Sequence, residues 1–491
     1  MNYQSTRGGG KKVSAARAIL QGLAEDGGLF VPDQRDLIKL PLETMLSLDY
    51  HQMAAMILNA MLPGFDKERL LRFAHEAYDG KFASKKVTPL SKVGETYVLE
   101  LYHGPTCAFK DVALCLLPLL MQEAKRMENM QEDVMILTAT SGDTGKAALS
   151  GFQDVEGVRI LVFFPEEGVS PIQKLQMVTQ EGSNVGVCGI LGNFDDAQSK
   201  VKEIFQAPPK GVFLTSANSI NIGRLVPQMV YYLSAYRDLV QEGRIPMGGL
   251  MDFSVPTGNF GDILAGYLMK QMGLPIGRLI CASNKNHILT DFFTTGIYDR
   301  RREFYQTSSP SMDILISSNL ERLLYFVTQD PLFVLSCMED LKEQGIFTVP
   351  EDIRRKIAAD FAAGYADEEA TKMTIRHVFE TEHYLMDPHT AVAYRVGEDY
   401  QNSGMAEDRP LVVLSTASPY KFPQTCLQAL FPGHGPEEAA AADPQEAMKK
   451  LREVSGMPIP ESLLGLETKP LRHQDVIKPQ EMAAYVQKWI Q

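Results

Sequence analysis

The sequence predicts an α/β protein built on a buried parallel sheet and preceded by a mainly helical region. Three observations carry this. Short runs rich in Val, Ile, Leu and Phe are each followed by a helical stretch: Val134–Leu137, Ile160–Phe164, Phe253–Val255, Leu279–Cys281 and Leu411–Leu414. Most of these runs are apolar throughout instead of alternating, as expected of strands covered on both faces. Several lead directly into loops of small polar residues, where ligands of open α/β sheets bind.

Each segment can be justified in chain order. From Ala15 to about Glu76 the chain reads as short helices, with Asp26-Gly27-Gly28 and Pro32-Asp33 as turn signals. The apolar run Val112 to Met121 reads as a helix kinked at Pro118. The stretch from Phe431 to Pro444 breaks the strand and helix alternation and reads as a surface insertion, followed by a short, charged, mostly helical tail. The resulting division is a helical region at 1–85, a core at 86–430 with a smaller subdomain at about 128–205, and the insertion and tail at 431–491.

Composition limits the functions available. A chain of 491 residues with 45% hydrophobic and 22% charged residues has the balance of a globular protein of several folding units. A net charge of −13 provides no broad basic face for nucleic acid or anionic membrane. An anionic substrate must therefore meet a local positive site. The six cysteines (Cys107, Cys115, Cys188, Cys281, Cys337 and Cys426) form no CxxC pair or Cys/His cluster. Neither a metal site nor a disulfide framework is expected, and the setting reads as reducing. The start has no apolar signal segment and the longest apolar run is too short to span a bilayer, so a cytoplasmic protein is expected.

Three strand-to-helix loops are candidates to converge on one crevice: Thr138 to Gly145, Pro256 to Asp262, and Ser415 to Pro419. In the second, Gly258 and Gly261 let the backbone approach an anion and the following helix start favours negative charge, so a phosphate fits. Taken alone, this is equally a tight turn with Asp262 as N-cap. Ser141 and Thr144 in the first loop suit a carboxylate or phosphate. Gly145-Lys146 is not a P-loop, because Thr140 and Ala147 stand where the pattern requires Gly and Ser or Thr. No GxGxxG spacing supports a dinucleotide. Lys110 lies among apolar neighbours that disfavour its charged form and leave a neutral amine available as nucleophile or base. By itself, a snorkelling lysine at a helix start, capped by Asp111, is the simpler reading.

Taken together, these segments resemble threonine synthases of the bacterial and fungal type. The resemblance centres on Tyr102-His103-Gly104-Pro105-Thr106-Cys107-Ala108-Phe109-Lys110-Asp111, similar to that family's pyridoxal-phosphate lysine motif. It extends through Tyr3 to Gly8, Gly22 to Pro32, Ala139 to Gly145, Asn218 to Gln228, Pro256 to Asp262, Ser317 to Leu324 and Asp387 to Val392. It implies a fold of the tryptophan-synthase β-subunit type, two parallel-sheet α/β domains with pyridoxal 5'-phosphate between them. It further implies that Lys110 binds the cofactor aldehyde with Phe109 beside it. Gly258, Asn259, Phe260, Gly261 and Asp262 would surround the cofactor phosphate, and Thr416 would meet the pyridine nitrogen. Ser141 and Thr144 would hold the substrate carboxylate, and Asn218, Ser219, Asn221 and Arg224 the substrate phosphate. The implied reaction converts O-phospho-L-homoserine and water to L-threonine and phosphate, with Lys110 as base at Cα and Cβ. Monomer and homodimer both stay open. The chain departs from the family at Ser418, where many relatives have His. Dehydratases of the same fold are the nearest alternative, against which the extended N-terminal region argues, and a catalytically silent relative is the other. Cys107 reads as a small buried apolar residue, and His103 and His389 as hydrogen-bonded structural groups.

Overall fold

The computed structural model describes residues 1–192, 194–209, 211–432 and 443–490. The N-terminal region is helical as expected, with Ala15–Gln21, Leu42–Met45, Tyr50–Met61 and Lys67–Tyr78. The helix at Tyr50 starts on a capping box in which the Asp49 carboxylate accepts from Gln52 N and Gln52 reaches back to Asp49 N. One feature was not expected: Tyr3–Ser5 pairs antiparallel with Phe30–Pro32. Arg322, completely buried, ties this pair to the rest of the chain, donating to Phe30 O at 3.1 Å and Ile220 O at 2.6 Å.

Two sheets follow. The larger has the spatial order Phe361–Tyr365, Ile276–Ser283, Met251–Pro256, Leu411–Ser415, Thr96–Glu100, Leu90–Val93, parallel except for the last strand. The smaller has the order Val476–Ile477, Val185–Ile190, Val158–Pro165, Val134–Ala139, Phe213–Thr215, and is parallel throughout. Every residue of Met251–Pro256, Val134–Ala139 and Val185–Ile190 is buried, which explains their mainly apolar composition, with Asp252 and Ser254 among the buried polar exceptions. Helix Ile222–Gln241 is buried all round from Ile222 to Leu239 and packs on both the N-terminal helices and helix Gly261–Gln271. No helix among the described residues is long and apolar enough to cross a membrane.

Three expectations need correction. The run around Pro118 is not one kinked helix: Lys110–Leu114 ends and Leu117–Met127 begins, with Pro118 in the new helix's first turn, where a missing N–H costs nothing. The smaller sheet exceeds 128–205, because it takes Phe213–Thr215 and Val476–Ile477. The tail is therefore part of that sheet. Its last helix, Met482–Ile490, covers the sheet, and the Trp489 ring lies so close to Gly186 that a Cβ there would be 2.3 Å away. Most of the expected surface insertion, residues 433–442, lies outside the described residues.

Gly151 sets how closely helix Asp143–Phe152 approaches the helix that begins at Lys110. A Cβ at Gly151 would stand 2.1 Å from Leu114 O, a backbone atom that cannot swing away. Helix propensity alone would make Gly151→Ala stabilising by about 1 kcal/mol, but overpacking of this kind costs about 1–3 kcal/mol. The variant should therefore lower the urea midpoint, and a raised midpoint would show that the helices separate freely.

Candidate active site

The candidate residues gather where strands of both sheets end. The Lys110 segment follows Thr96–Glu100, the Gly258 loop follows Met251–Pro256, and the Thr416 loop follows Leu411–Ser415, all in the larger sheet. The Ser141 loop follows Val134–Ala139 of the smaller one. The Lys110 and Thr416 segments are stitched together by backbone bonds: Phe109 N donates to Thr416 O at 2.8 Å and Ser418 N to Cys107 O at 3.1 Å. Cys107 adopts a left-handed φ of 60° at this junction. Its thiol is buried and pushed up to about 11 by desolvation, which agrees with a packing residue.

Lys110 is the first residue of its helix and is buried. Desolvation lowers its pKa, and the neighbouring charges of Lys421 and Arg224 act in the same direction while Asp143 opposes them. Asp143 Oδ2 lies 3.6 Å from Lys110 Nζ. The other oxygen of Asp143 is paired with Lys421 and accepts from Gln173 Nε2 at 2.8 Å. These cations hold Asp143 well below the ordinary carboxylate range despite its burial. Lys421 Nζ also donates to Thr106 O at 3.1 Å. Asp111 does not cap the Lys110 helix; it accepts from Thr106 N at 2.8 Å and Thr106 Oγ1 at 2.6 Å and so braces the approach loop.

The Gly258 loop is built to present amide hydrogens. Ser317 Oγ donates to Gly258 O at 2.7 Å, and Asn319 donates to Asn259 O from its backbone N at 3.1 Å and its Nδ2 at 2.9 Å. With those carbonyls engaged, the N–H groups of Gly258, Asn259 and Phe260 have no acceptor among the described residues. Phe260, at φ 61°, is the N-cap of helix Gly261–Gln271 and provides no side-chain cap. A Cβ on Gly258 would lie 2.5 Å from Ser311 O, so only glycine fits. Asp262 is not the cap. It sits in the first turn, where Tyr231 OH donates to Oδ1 at 2.5 Å and Tyr232 OH to the same oxygen at 3.1 Å, while Oδ2 has no partner. Burial pushes it up to about 6, with Lys110 pulling the other way.

The Asn218 loop abuts this helix start, since Ser219 Cβ lies 3.6 Å from where a Gly261 Cβ would stand. Arg224 is buried, its Nη1 donates to Ala217 O at 2.7 Å, and its Nε has no partner. It pairs with no carboxylate among the described residues, and burial alone lowers it to about 10. The side chains of Asn218 and Ser219 are half-buried and carry no hydrogen bond among the described residues, and the same holds for Ser141, Thr144 and the buried Thr416 hydroxyl. Asn221 differs. Its amide donates to Ile19 O at 2.9 Å and Ser216 O at 3.0 Å, and its oxygen caps the helix at Gly223 N. It shapes the loop and has no free hydrogen to offer an anion.

Residues without a role in the sequence reading complete the site. Asp143, Gln173 and Lys421 hold Lys110, and Ser317 and Asn319 hold the anion loop. Ser311 touches both, its Oγ 3.5 Å from Asp143 Oδ2 and its N donating to His389 Nε2 at 3.2 Å. His389 Nδ1 faces Asp387 Oδ1 at 2.7 Å and His103 Nε2 faces Glu100 Oε2 at 2.8 Å, as expected of hydrogen-bonded structural histidines. The only signal for Ser317 and Asn319 was their family-like stretch; Lys421 lies five residues beyond Thr416, just past the candidate loop Ser415 to Pro419.

A desolvated amine, a helix start with idle amides and a buried arginine without a counter-ion make a fitting site for a cofactor carrying an aldehyde and a phosphate, next to a second anion. Comparisons with known proteins agree. Residues 2–78 match the threonine synthase N terminus, 84–417 the pyridoxal-phosphate dependent enzyme family, and 390–490 the threonine synthase C-terminal family. Threonine synthase from Pseudomonas aeruginosa is 40% identical, covering 87% of this chain and 90% of its own. Human threonine synthase-like 1 is 40% identical over 86% of this chain, which spans 59% of that longer protein. Among solved structures, yeast threonine synthase is 32% identical with a TM-score of 0.87, covering 100% of this chain and 98% of its own. The pyridoxal-phosphate-bound enzyme from Brucella melitensis is 36% identical with a TM-score of 0.85, covering 100% of both chains. The chain belongs to the threonine synthase family of pyridoxal-phosphate-dependent enzymes.

The raised pKa of Asp262 has a consequence for the cofactor-free protein. Its native form favours the proton, so the stability this group contributes is full below the ordinary carboxylate pKa near 4 and is lost as pH rises through about 6. Asp262→Asn keeps an acceptor for both tyrosines and cannot ionise. Its stability relative to wild type should rise by roughly 2–3 kcal/mol between pH 4 and 8 in urea titrations. A constant difference across that range would refute the assignment.

Proposed function

We propose that this chain converts O-phospho-L-homoserine and water to L-threonine and phosphate, using pyridoxal phosphate bound at Lys110. The observation that carries the reading is the buried, uncompensated Arg224 beside Lys110 and the helix start at Gly261. Two anion positions near one amine suit a cofactor phosphate and a substrate phosphate together.

When bound, pyridoxal phosphate supplies an aldehyde for the substrate amine and a ring that accepts the electron pair left by proton removal. Gly258, Asn259, Phe260, Gly261 and Asp262 would hold its phosphate, Phe109 would lie beside Lys110, and Thr416 would meet the ring nitrogen. Lys110, whose charged form burial disfavours, takes the proton from Cα and then one from Cβ. Once protonated, it is stabilised by Asp143, whose remaining charge is balanced by Lys421. Ser141 and Thr144 hold the substrate carboxylate. Arg224, with Asn218 and Ser219, holds the phosphate that leaves Cγ before water adds at Cβ, and Asn221 keeps that loop in place. A cytoplasmic setting belongs to the same proposal and accords with six unpaired, buried thiols.

The test is release of phosphate and threonine from O-phospho-L-homoserine by the purified protein, with O-phosphothreonine and serine run alongside. Turnover of serine or O-phosphothreonine without threonine formation would assign a dehydratase instead. Lys110→Ala should abolish turnover and the visible band of the bound cofactor; retention of both would sink the assignment. Arg224→Gln should raise KM for the phosphorylated substrate at least about tenfold while cofactor affinity changes little. An unchanged KM would move the substrate phosphate elsewhere.

A further inference from the structure

Away from Lys110, the ends of two N-terminal helices bring together a set of side chains that the reaction does not use. His51 lies in the first turn of Tyr50–Met61, His75 in the last turn of Lys67–Tyr78, and Asp79 is the C-cap of the second helix. His51 Nε2 is 2.9 Å from Asp79 Oδ1, and His75 Nδ1 is 2.9 Å from Asp79 Oδ2. The two imidazole rings stack 4.3 Å apart. One donor atom from each residue falls within a cluster in which all lie within 4.8 Å of one another.

The chemistry of this set is that of a borderline divalent ion. Two imidazoles and a carboxylate are a common ligand set for zinc, whereas magnesium and calcium prefer oxygen alone. His51 Nε2 is buried and has no hydrogen bond of good geometry, although the carboxylate oxygen is within reach. It thus has a lone pair or proton with nothing well aligned to receive it. On the other side of the ring, Asp49 Oδ1 stands 3.8 Å from His51 Nδ1, too far for a hydrogen bond but adding negative charge beside the cluster. Ligands at ordinary zinc distances are roughly 3.3–3.5 Å apart in a tetrahedron. The rings are within 7° of parallel, so closing the cluster needs about 1–1.5 Å of movement and a turn of the exposed His75 ring out of the stack, to bring both nitrogen lone pairs onto one point. Two of the side chains are free to supply it: His75 is 49% and Asp79 60% exposed, against 13% for His51. His51 would be the fixed anchor and the others would close on it.

We propose that His51, His75 and Asp79 form a zinc(II) site with one coordination position left to water, clamping the start of one helix to the end of the other. The position suits a staple. Asp79 immediately follows the 2–78 segment and precedes the segment that begins at 84, so the ion would pin the helical region where the chain passes into the catalytic body. His75 and Asp79 are four residues apart at the end of one helix and His51 comes from another, so the sequence shows only a two-residue spacing and no full metal-binding motif.

The experiment uses the full-length, cofactor-loaded protein near neutral pH, with zinc(II) titrated in competition with a chromophoric chelator. One equivalent should bind to wild type, at least about tenfold more weakly to His75→Gln and to Asp79→Asn. Free zinc should raise the Tm of wild type and leave that of His75→Gln unchanged. Both substituted side chains are exposed, and retention of the circular dichroism and the cofactor band verifies the fold. Failure of wild type to compete, or wild-type affinity in either variant, overturns the proposal; the latter result would assign any bound zinc to other groups.

Discussion

The cleft depends on one buried carboxylate shared by two buried lysines. Asp143 comes from the loop that leaves the smaller sheet, and Lys110 and Lys421 from loops that leave the larger one. Each charge would cost several kcal/mol to bury alone. Placed together they compensate one another, and separating the sheets would leave Asp143 only the Gln173 amide and Lys421 only the Thr106 carbonyl in place of an ionic partner. The same contact that joins the two halves therefore fixes the position of the Lys110 amine, while the Thr416 backbone and Thr106 hold the lysine segments in register.

This arrangement also explains how a chain of net charge −13 can attract anions. Asp143 is balanced by Lys421, Asp262 is drawn toward its neutral form, and Arg224 has no carboxylate partner among the described residues. The interior of the cleft is electropositive although the whole molecule is acidic, and the idle amides at the start of helix Gly261–Gln271 add to it. Burial sets the sign at each position. It pushes Lys110 toward the free amine, Asp262 toward the acid, and Arg224 toward any anion that would pair with it.

Much of the architecture was legible because buried parallel strands announce themselves through short, mainly apolar stretches followed by helices. Val134–Ala139, Val158–Pro165, Met251–Pro256, Ile276–Ser283 and Leu411–Ser415 were located correctly, short only at their ends. Phe361–Tyr365 was missed because its Ala-Ala-Gly centre is poor in β-branched residues and its strand lies at the sheet edge. Val476–Ile477 is too short to produce a pattern. Within the site, residues that act on a ligand directly were more visible than those that act through another residue. Lys421 and Ser311 gain their importance from partners hundreds of positions away, and no local pattern encodes that. Asn221 shows the converse, since its motif looked like an anion ligand while helix capping and two carbonyls use its amide.

The late strand Val476–Ile477 has a consequence for how the chain reaches this state during synthesis. Val185–Ile190 is covered on one side by Val158–Pro165, but its other edge waits for a segment made almost three hundred residues later. Until the ribosome has released that segment, the smaller sheet carries an open hydrogen-bonding edge, with Gly186 bare where Trp489 will lie. An unpaired edge of this kind is a template for pairing with another nascent chain. Val476–Ile477 covers that edge at Gly189 and Ile190, and it is made only after every residue of the candidate site is already in the chain.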